Sequence, residues 1–249
     1  MKKAVITGAS SGIGKEMAIL LAERGYSLVL AARREALLKD LASKLDVPCK
    51  IAVTDLRDET AIYTLFEENR DADILINNAG FGVFGKFTST DFKKESEMID
   101  VNIKALHLLT KLYLTEFKKR GRGKILNVAS SASFFPGPLF SSYYASKAYV
   151  LRLSRAIGEE LRREKSKITI SVLCPGPVDT EFNDVANVKF SIGALSAKEV
   201  AKIGINGMMR GKRVIVPGFG IKCTRILSKI VPDFITEKIV YRIQKSKQE

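Results

Sequence analysis

A chain of 249 residues is long enough to form one large α/β domain with a sizeable buried core, since such domains run to ~250 residues. Hydrophobic residues make up 46% of it, ordinary for a globular protein, and no segment reaches the ~18 uninterrupted apolar residues of a membrane-spanning helix. The formal charge of +14 admits nucleic acid or an anionic membrane as partner, but the cations are scattered as Arg33-Arg34, Lys93-Lys94, Lys118-Lys119-Arg120 and Arg162-Arg163, so solvated helix faces are the simpler reading and no nucleic-acid partner is expected.

The start, Met1 to Thr7, places two lysines ahead of an apolar run of about three residues, too short for the hydrophobic stretch of a signal peptide. It reads as a first strand, at 3–7, with further strands predicted at 27–31, 49–53, 74–77, 124–128, 168–173 and 214–216. Each is short, rich in Val, Ile and Leu, and apolar on both faces, as buried parallel strands are. Between them, apolar residues three and four apart predict helices at 15–24, 35–45, 59–69, 92–117, 142–163 and 197–209. The alternation predicts an α/β fold: a Rossmann-type doubly wound parallel sheet of about seven strands with helices on both faces.

Two stretches break that rhythm within what otherwise reads as one domain over 1–249. From Pro175 the chain is rich in Gly, Pro, Asp and Asn with weak periodicity, and about 177–196 is expected to be a substrate lid. An amphipathic extension follows over about 221–247, where Ile226, Leu227, Ile230, Val231, Phe234, Ile235, Ile239, Val240 and Ile243 are interleaved with Lys222, Arg225, Lys229, Lys238 and Arg242 and interrupted at Pro232. Cys49, Cys174 and Cys223 stand far apart without a CxxC pair, so reduced thiols and a cytoplasmic location are expected. His107, without a nearby cysteine, gives no metal site and takes a structural or surface role.

The chemistry begins where the first strand runs into Thr7-Gly8-Ala9-Ser10-Ser11-Gly12-Ile13-Gly14 and then a helix. Glycines let the backbone turn sharply and approach a ligand, while the helix N-terminus offers free N–H donors and the positive end of its dipole to a pyrophosphate. The spacing is GxxxGxG rather than the general GxGxxG, and in this it resembles the short-chain dehydrogenases/reductases. That resemblance covers roughly residues 1–217, and its motifs fall in order on the right elements. It implies that Gly8, Ser10, Ser11, Gly12, Ile13 and Gly14 hold the cofactor, that Asp55 and Leu56 after the third strand lie beside the adenine, and that Asn78, Ala79 and Gly80 of the Asn77-Asn78-Ala79-Gly80 run support the sheet and pass the adenine side. At the end of the second strand an NAD enzyme usually carries a carboxylate for the ribose 2′-hydroxyl. Here Ala32 stands in that place, followed by Arg33 and Arg34, which suit a 2′-phosphate through charge-assisted hydrogen bonds and stacking. NADP(H) is therefore the expected cofactor, with Arg33 the stronger contact by similarity and Arg34 the weaker.

Tyr143 and Lys147, in Tyr143-Tyr144-Ala145-Ser146-Lys147, lie four apart near the start of a helix and so share one face. A carbonyl that accepts hydride needs a proton at its oxygen, and a phenol can give one if a nearby cation lowers its pKa from the ordinary ~10. Tyr144 lacks a matching lysine, because Ala148 occupies that place. The resemblance implies that Tyr143 and Lys147 are catalytic and also bind the nicotinamide ribose, and that Ser130, with Ser131 as fallback, orients the substrate oxygen. It further implies that Asn102 supports a proton relay from Lys147, and that Pro175, Gly176, Val178 and Thr180 position the nicotinamide and its carboxamide. Where the family often has a glycine after the catalytic serine, this chain has Ser133, which leaves the local loop shape open.

The reading that results is an NADP(H)-dependent oxidoreductase moving a hydride between nicotinamide and a ketone, aldehyde or alcohol of apolar character, since Phe134, Phe135, Phe140 and Phe182 fall near the expected pocket. Two alternatives are a non-catalytic NADP(H) sensor or scaffold, from which the intact Tyr-Lys pair argues away, and a membrane-surface reductase of lipid-derived carbonyls, to which the basic amphipathic extension points. The extension is otherwise expected to cover the substrate cleft or pack at a subunit contact, and that reading is preferred. The resemblance implies a homodimer or homotetramer, with the long helices over 92–117 and 142–163 as the usual contact.

Overall fold

The structure is a computed structural model that describes residues 1–182 and 195–246. Seven parallel strands, β1 (Lys3–Thr7), β2 (Ser27–Ala32), β3 (Cys49–Val53), β4 (Ile74–Asn77), β5 (Lys124–Val128), β6 (Thr169–Leu173) and β7 (Val214–Ile215), form one sheet in the order β3-β2-β1-β4-β5-β6-β7. Register runs Val5 against Val29 on one side of β1 and Val5 against Leu75 on the other. Because β1 starts both directions of winding, a crevice opens beyond the carboxyl ends of β1 and β4, where doubly wound sheets place their ligands.

Helices α1 (Gly12–Ala22), α2 (Glu35–Ala42) and α3 (Glu59–Glu67) connect the first strands, and α4 (Phe92–Ile99) with α5 (Leu106–Arg120) follows β4. The long α6 (Ser141–Arg163), α7 (Ala197–Met209) and two tail helices, α8 (Phe219–Leu227) and α9 (Asp233–Lys245), follow among the described residues. One core packs Met17, Leu21, Leu38 and Ile205 on one sheet face, and a second packs Phe66, Tyr113, Phe117 and Leu161 on the other. Burying apolar side chains on both faces is what selects strands made almost wholly of Val, Ile, Leu and Ala.

The predicted strands agree with the observed ones to within a residue at either end. The helices differ at their boundaries for local reasons. The first begins at Gly12 rather than at Lys15, because the glycine turn passes directly into the helix. The helix predicted over 92–117 extends to Arg120 and stops at Gly121, which takes the left-handed conformation at φ +69°. Its middle, Asp100–Ala105, is a π-helical turn. The amphipathic extension breaks at Pro232, as its pattern requires. Of the expected lid, 183–194 lies outside the described residues, while Val178 bridges to Leu195 at its two ends. No described helix is long and apolar enough to cross a membrane.

Candidate active site

The turn between β1 and α1 closes tightly on itself. Gly8 and Gly12 take φ of +66° and +54°, and a Cβ on Gly14 would stand 2.3 Å from the Gly8 carbonyl oxygen. Any side chain at Gly14 is therefore excluded by backbone. Ser11 at the N-cap of α1 makes no side-chain cap, which leaves the first amides of the helix free for an anion. The turn is braced from β4: Asn78 Nδ2 donates to the carbonyls of Thr7 and Gly8, both at 3.1 Å, and the Thr7 hydroxyl accepts from the Asn78 and Ala79 amides.

A cleft of about 750 Å³ opens above this turn. Arg33, Arg34, Asp55 and Leu56 line one part of it. Arg34 Nη2 donates to the Ser10 and Ser11 hydroxyls at 3.0 and 2.9 Å and to Glu181 Oε2 at 2.7 Å. Glu181 is correspondingly held below the usual carboxylate range by Arg34. Of the two arginines it is thus Arg34, the weaker by sequence, that is tied into the glycine turn. Asp55 accepts a two-pronged pair from Arg57, which also reaches Glu97 at 2.9 Å, and its carboxyl is held low by Arg57.

Elsewhere the segment after β5 delivers Ser130 and Ser131, and the first turns of α6 deliver Tyr143 and Lys147. Ser130 caps a short 3₁₀ turn over Ser131–Phe134, accepting from the Ala132 amide, while the Ser133 hydroxyl donates to the Ser130 carbonyl at 2.5 Å. Ser133 therefore fixes the loop whose shape the sequence left open. Tyr143 stacks on Phe140 with ring centroids 4.5 Å apart. Lys147 Nζ donates to the Val128 carbonyl at 3.0 Å and lies 5.8 Å from the Tyr143 ring.

Burial governs the ionisation of both groups. It raises the Tyr143 phenol above its ordinary value, with the neighbouring Ser130 hydroxyl pulling the other way, and it lowers the Lys147 ammonium to about 8. The sequence reading has the Lys147 ammonium and the cationic nicotinamide lower the phenol together; in the protein alone, burial outweighs the Ser130 hydrogen bond and the phenol stands raised. A fixed positive charge beside the pair is needed to reverse that balance.

Two predicted residues stand behind the cleft wall instead of lining it, Gly14 and Asn102. Asn102 is fully buried in the π turn, accepting from the Phe81 amide at 3.1 Å and donating to the Phe81 carbonyl at 2.9 Å and to Ser146 Oγ at 3.1 Å. A Cβ on Gly80 would fall 2.9 Å from Asn102 Oδ1 and 3.2 Å from Lys147 Nζ, so only glycine lets those two groups converge. All the other predicted positions, including Gly8, Ile13, Ala79, Pro175, Gly176, Val178 and Thr180, line the one cleft.

One part of the cleft is apolar. Phe81, Val83, Phe84 and Phe182 pack with Phe140 and Tyr143. Phe134 and Phe135, expected here, do not line the cleft, and Phe134 packs instead against the cluster of Val150 and Leu151. Sequence reasoning missed Glu181 and Gln244. Gln244, on α9, is buried, donates to the Tyr144 hydroxyl at 2.5 Å, and keeps its Oε1 without a partner. Thr236, Val240 and Gln244 fall at intervals of four in the sequence, a spacing that marks one helix face without naming Tyr144 as a partner. His107 is exposed and meets the Tyr149 hydroxyl at 2.6 Å, and the described residues hold no metal-ligand cluster.

Comparison with known proteins places this geometry. A family model described as short chain dehydrogenase matches residues 2–189. An uncharacterized oxidoreductase of Staphylococcus epidermidis is 36% identical over 188 residues, which is 74% of this chain and 80% of that protein. Among solved structures, a short-chain dehydrogenase from Sphingobium yanoikuyae in complex with NADPH is 30% identical, with a TM-score of 0.81 over 88% of this chain and 89% of that one. A short chain dehydrogenase/reductase from Burkholderia phymatum in complex with NAD is 25% identical, with a TM-score of 0.81 over 91% and 92%.

Proposed function

Because the chain belongs to the short chain dehydrogenase family and is a nicotinamide-dependent oxidoreductase, we propose that it is an NADP(H)-linked reductase of apolar ketones or aldehydes. The observation that carries the reading is the convergence of Ser130, Tyr143 and Lys147 on one wall of a cleft whose far end is a glycine turn flanked by Arg33 and Arg34. The uncapped N-terminus of α1 and the side-chain-free approach at Gly14 fit a pyrophosphate. Arg33 and Arg34, with Ala32 in place of a carboxylate, fit the extra phosphate of NADP(H).

When bound, the nicotinamide supplies or takes the hydride. Tyr143 then gives its phenolic proton to the substrate oxygen as that oxygen gains charge, and Ser130 donates a hydrogen bond to the same atom. Lys147 would hold the ribose, and its ammonium together with a cationic nicotinamide would offset the burial that raises the phenol. Asn102 positions this group by fixing the Phe81 backbone and the Gly80 approach. Phe84, Phe140 and Phe182 make the substrate end apolar, which favours carbonyl carbons bearing aliphatic or aromatic groups.

The test is the loss of NADPH absorbance with a panel of ketones, aldehydes, quinones and 3-oxoacyl thioesters. Turnover is expected with NADPH over NADH, and Tyr143→Phe should lower kcat by about 10²–10⁴-fold while leaving NADPH binding intact. Binding without turnover across the panel would favour the sensor reading, and a clear preference for NADH would overturn the roles of Arg33 and Arg34.

A further inference from the structure

A second cavity, of about 510 Å³, shares no lining residue with the cleft and lies at the β7 edge of the sheet, between the end of α7, β7 and α8. Arg210, Lys212, Lys222, Arg225 and Lys229 line it, above apolar side chains that include Ile226, and no acidic residue lines it. None of these five side chains makes an ion pair or hydrogen bond with a described residue. Cations elsewhere include paired ones, such as Arg57 with Asp55 and Glu97 and Arg213 with Glu159; what sets this cavity apart is five cations around one space that no acidic residue lines. The described segment 195–246 holds eleven basic residues against three acidic ones, a net +8 of the chain's +14.

The chain leaving this cavity is apolar and uncovered. Ile226 is 60% exposed, Leu227 52%, Ile230 73% and Phe234 61%, and α8 has no fully buried residue. Five unpaired cations around one cavity repel each other until an anion enters, and exposed Ile, Leu and Phe side chains raise the free energy until they leave water. A second copy of this chain packed through the same face would cover the apolar residues but bring a further set of these cations and no carboxylate from its own cavity. Nucleic acid would satisfy the cations and leave the aliphatic side chains wet. A lipid surface presents phosphates and hydrocarbon within a few ångströms of each other, which is the pairing this face needs.

We propose that the β7 edge and α8 dock on an anionic lipid surface, with lipid phosphates entering the cavity lined by Arg210, Lys212, Lys222, Arg225 and Lys229, and with Ile226, Leu227, Ile230 and Phe234 entering the acyl boundary. The inference stands apart from the carbonyl reductase reading, since it involves no residue of the cleft and its test needs no turnover.

The test is co-sedimentation of the full chain with vesicles of phosphatidylcholine, with and without phosphatidylglycerol. Binding is expected only to the anionic vesicles and is expected to weaken as salt rises. The double variant Lys222→Glu/Lys229→Glu should partition at least about tenfold less, and Leu227→Ser/Ile230→Ser should also lose binding, with the melting temperature of each unchanged as a control for folding. No binding to anionic vesicles, equal binding to neutral ones, or wild-type binding by both variants would overturn the proposal. So would equally tight, lysine-dependent binding of a soluble polyphosphate or oligonucleotide, or a dimer that Leu227→Ser/Ile230→Ser converts to a monomer.

Discussion

Lys147 is the residue whose environment most constrains the chemistry. Its ammonium is wholly desolvated and falls to about 8, so the charge next to Tyr143 is present below that pH and lost as pH rises through it. Donation of the Tyr143 proton to a carbonyl is weakened by that loss. Carbonyl reduction should therefore show kcat/KM that is level at lower pH and falls as pH rises through about 8, since this ratio reports the free enzyme. A profile flat to well above that value would remove Lys147 from the role of charged partner. These residues were legible in the sequence because each sits in a contiguous motif on a predictable element: Gly8 to Gly14 on a strand-turn-helix, Tyr143 and Lys147 four apart on a helix. Glu181 and Gln244 were not, because what makes them neighbours of Arg34 and Tyr144 is a contact across 147 and 100 residues of chain, and neither carries a local pattern that names its partner.

Elements, rather than single residues, set how the cleft opens. The segment after β6 begins the expected lid, and its Glu181 is clamped on Arg34 at 2.7 Å, with both side chains about half exposed. A carboxylate held there occupies the guanidinium that would meet a 2′-phosphate, so cofactor and lid compete for one cation. Removing the charge with Glu181→Gln should tighten NADPH by about two- to fivefold, the range of an exposed ion pair, and leave NADH affinity nearly unchanged. Isothermal titration with both cofactors measures this, and an equal change for NADPH and NADH would show that Arg34 does not read the phosphate. The π turn at Asp100–Ala105 is another feature of element scale that the sequence did not disclose. Apolar periodicity over 92–117 fits one α-helix, whereas the extra residue per turn that aims Asn102 at Phe81 leaves the same pattern on either side.

At the scale of the whole molecule, the strand-helix alternation was enough to give a doubly wound sheet, because seven short two-faced apolar strands with intervening amphipathic helices have few other ways to bury themselves. The alternation does not say which surfaces stay uncovered: the tail, expected to cover the substrate cleft or to pack at a subunit contact, brings Gln244 to the cleft wall, and of α9 only Thr236 and Gln244 are buried. The cleft itself draws lining residues from the segments following β1, β2, β3, β4, β5 and β6, so a ligand spanning it binds the assembled sheet and has no counterpart site in the unfolded chain. Such a ligand at a hundredfold excess over its dissociation constant adds ~2.7 kcal/mol, and in a chain of this size each kcal/mol raises the melting temperature by ~2–4 °C. NADPH at that excess should therefore shift a single melting transition upward by about 5–10 °C, and NADH at the same concentration should shift it less. Differential scanning calorimetry reads both outcomes. Two separate transitions, of which only one moves with NADPH, would mean that the two halves of the sheet unfold independently and that the cleft does not bind its ligand across them.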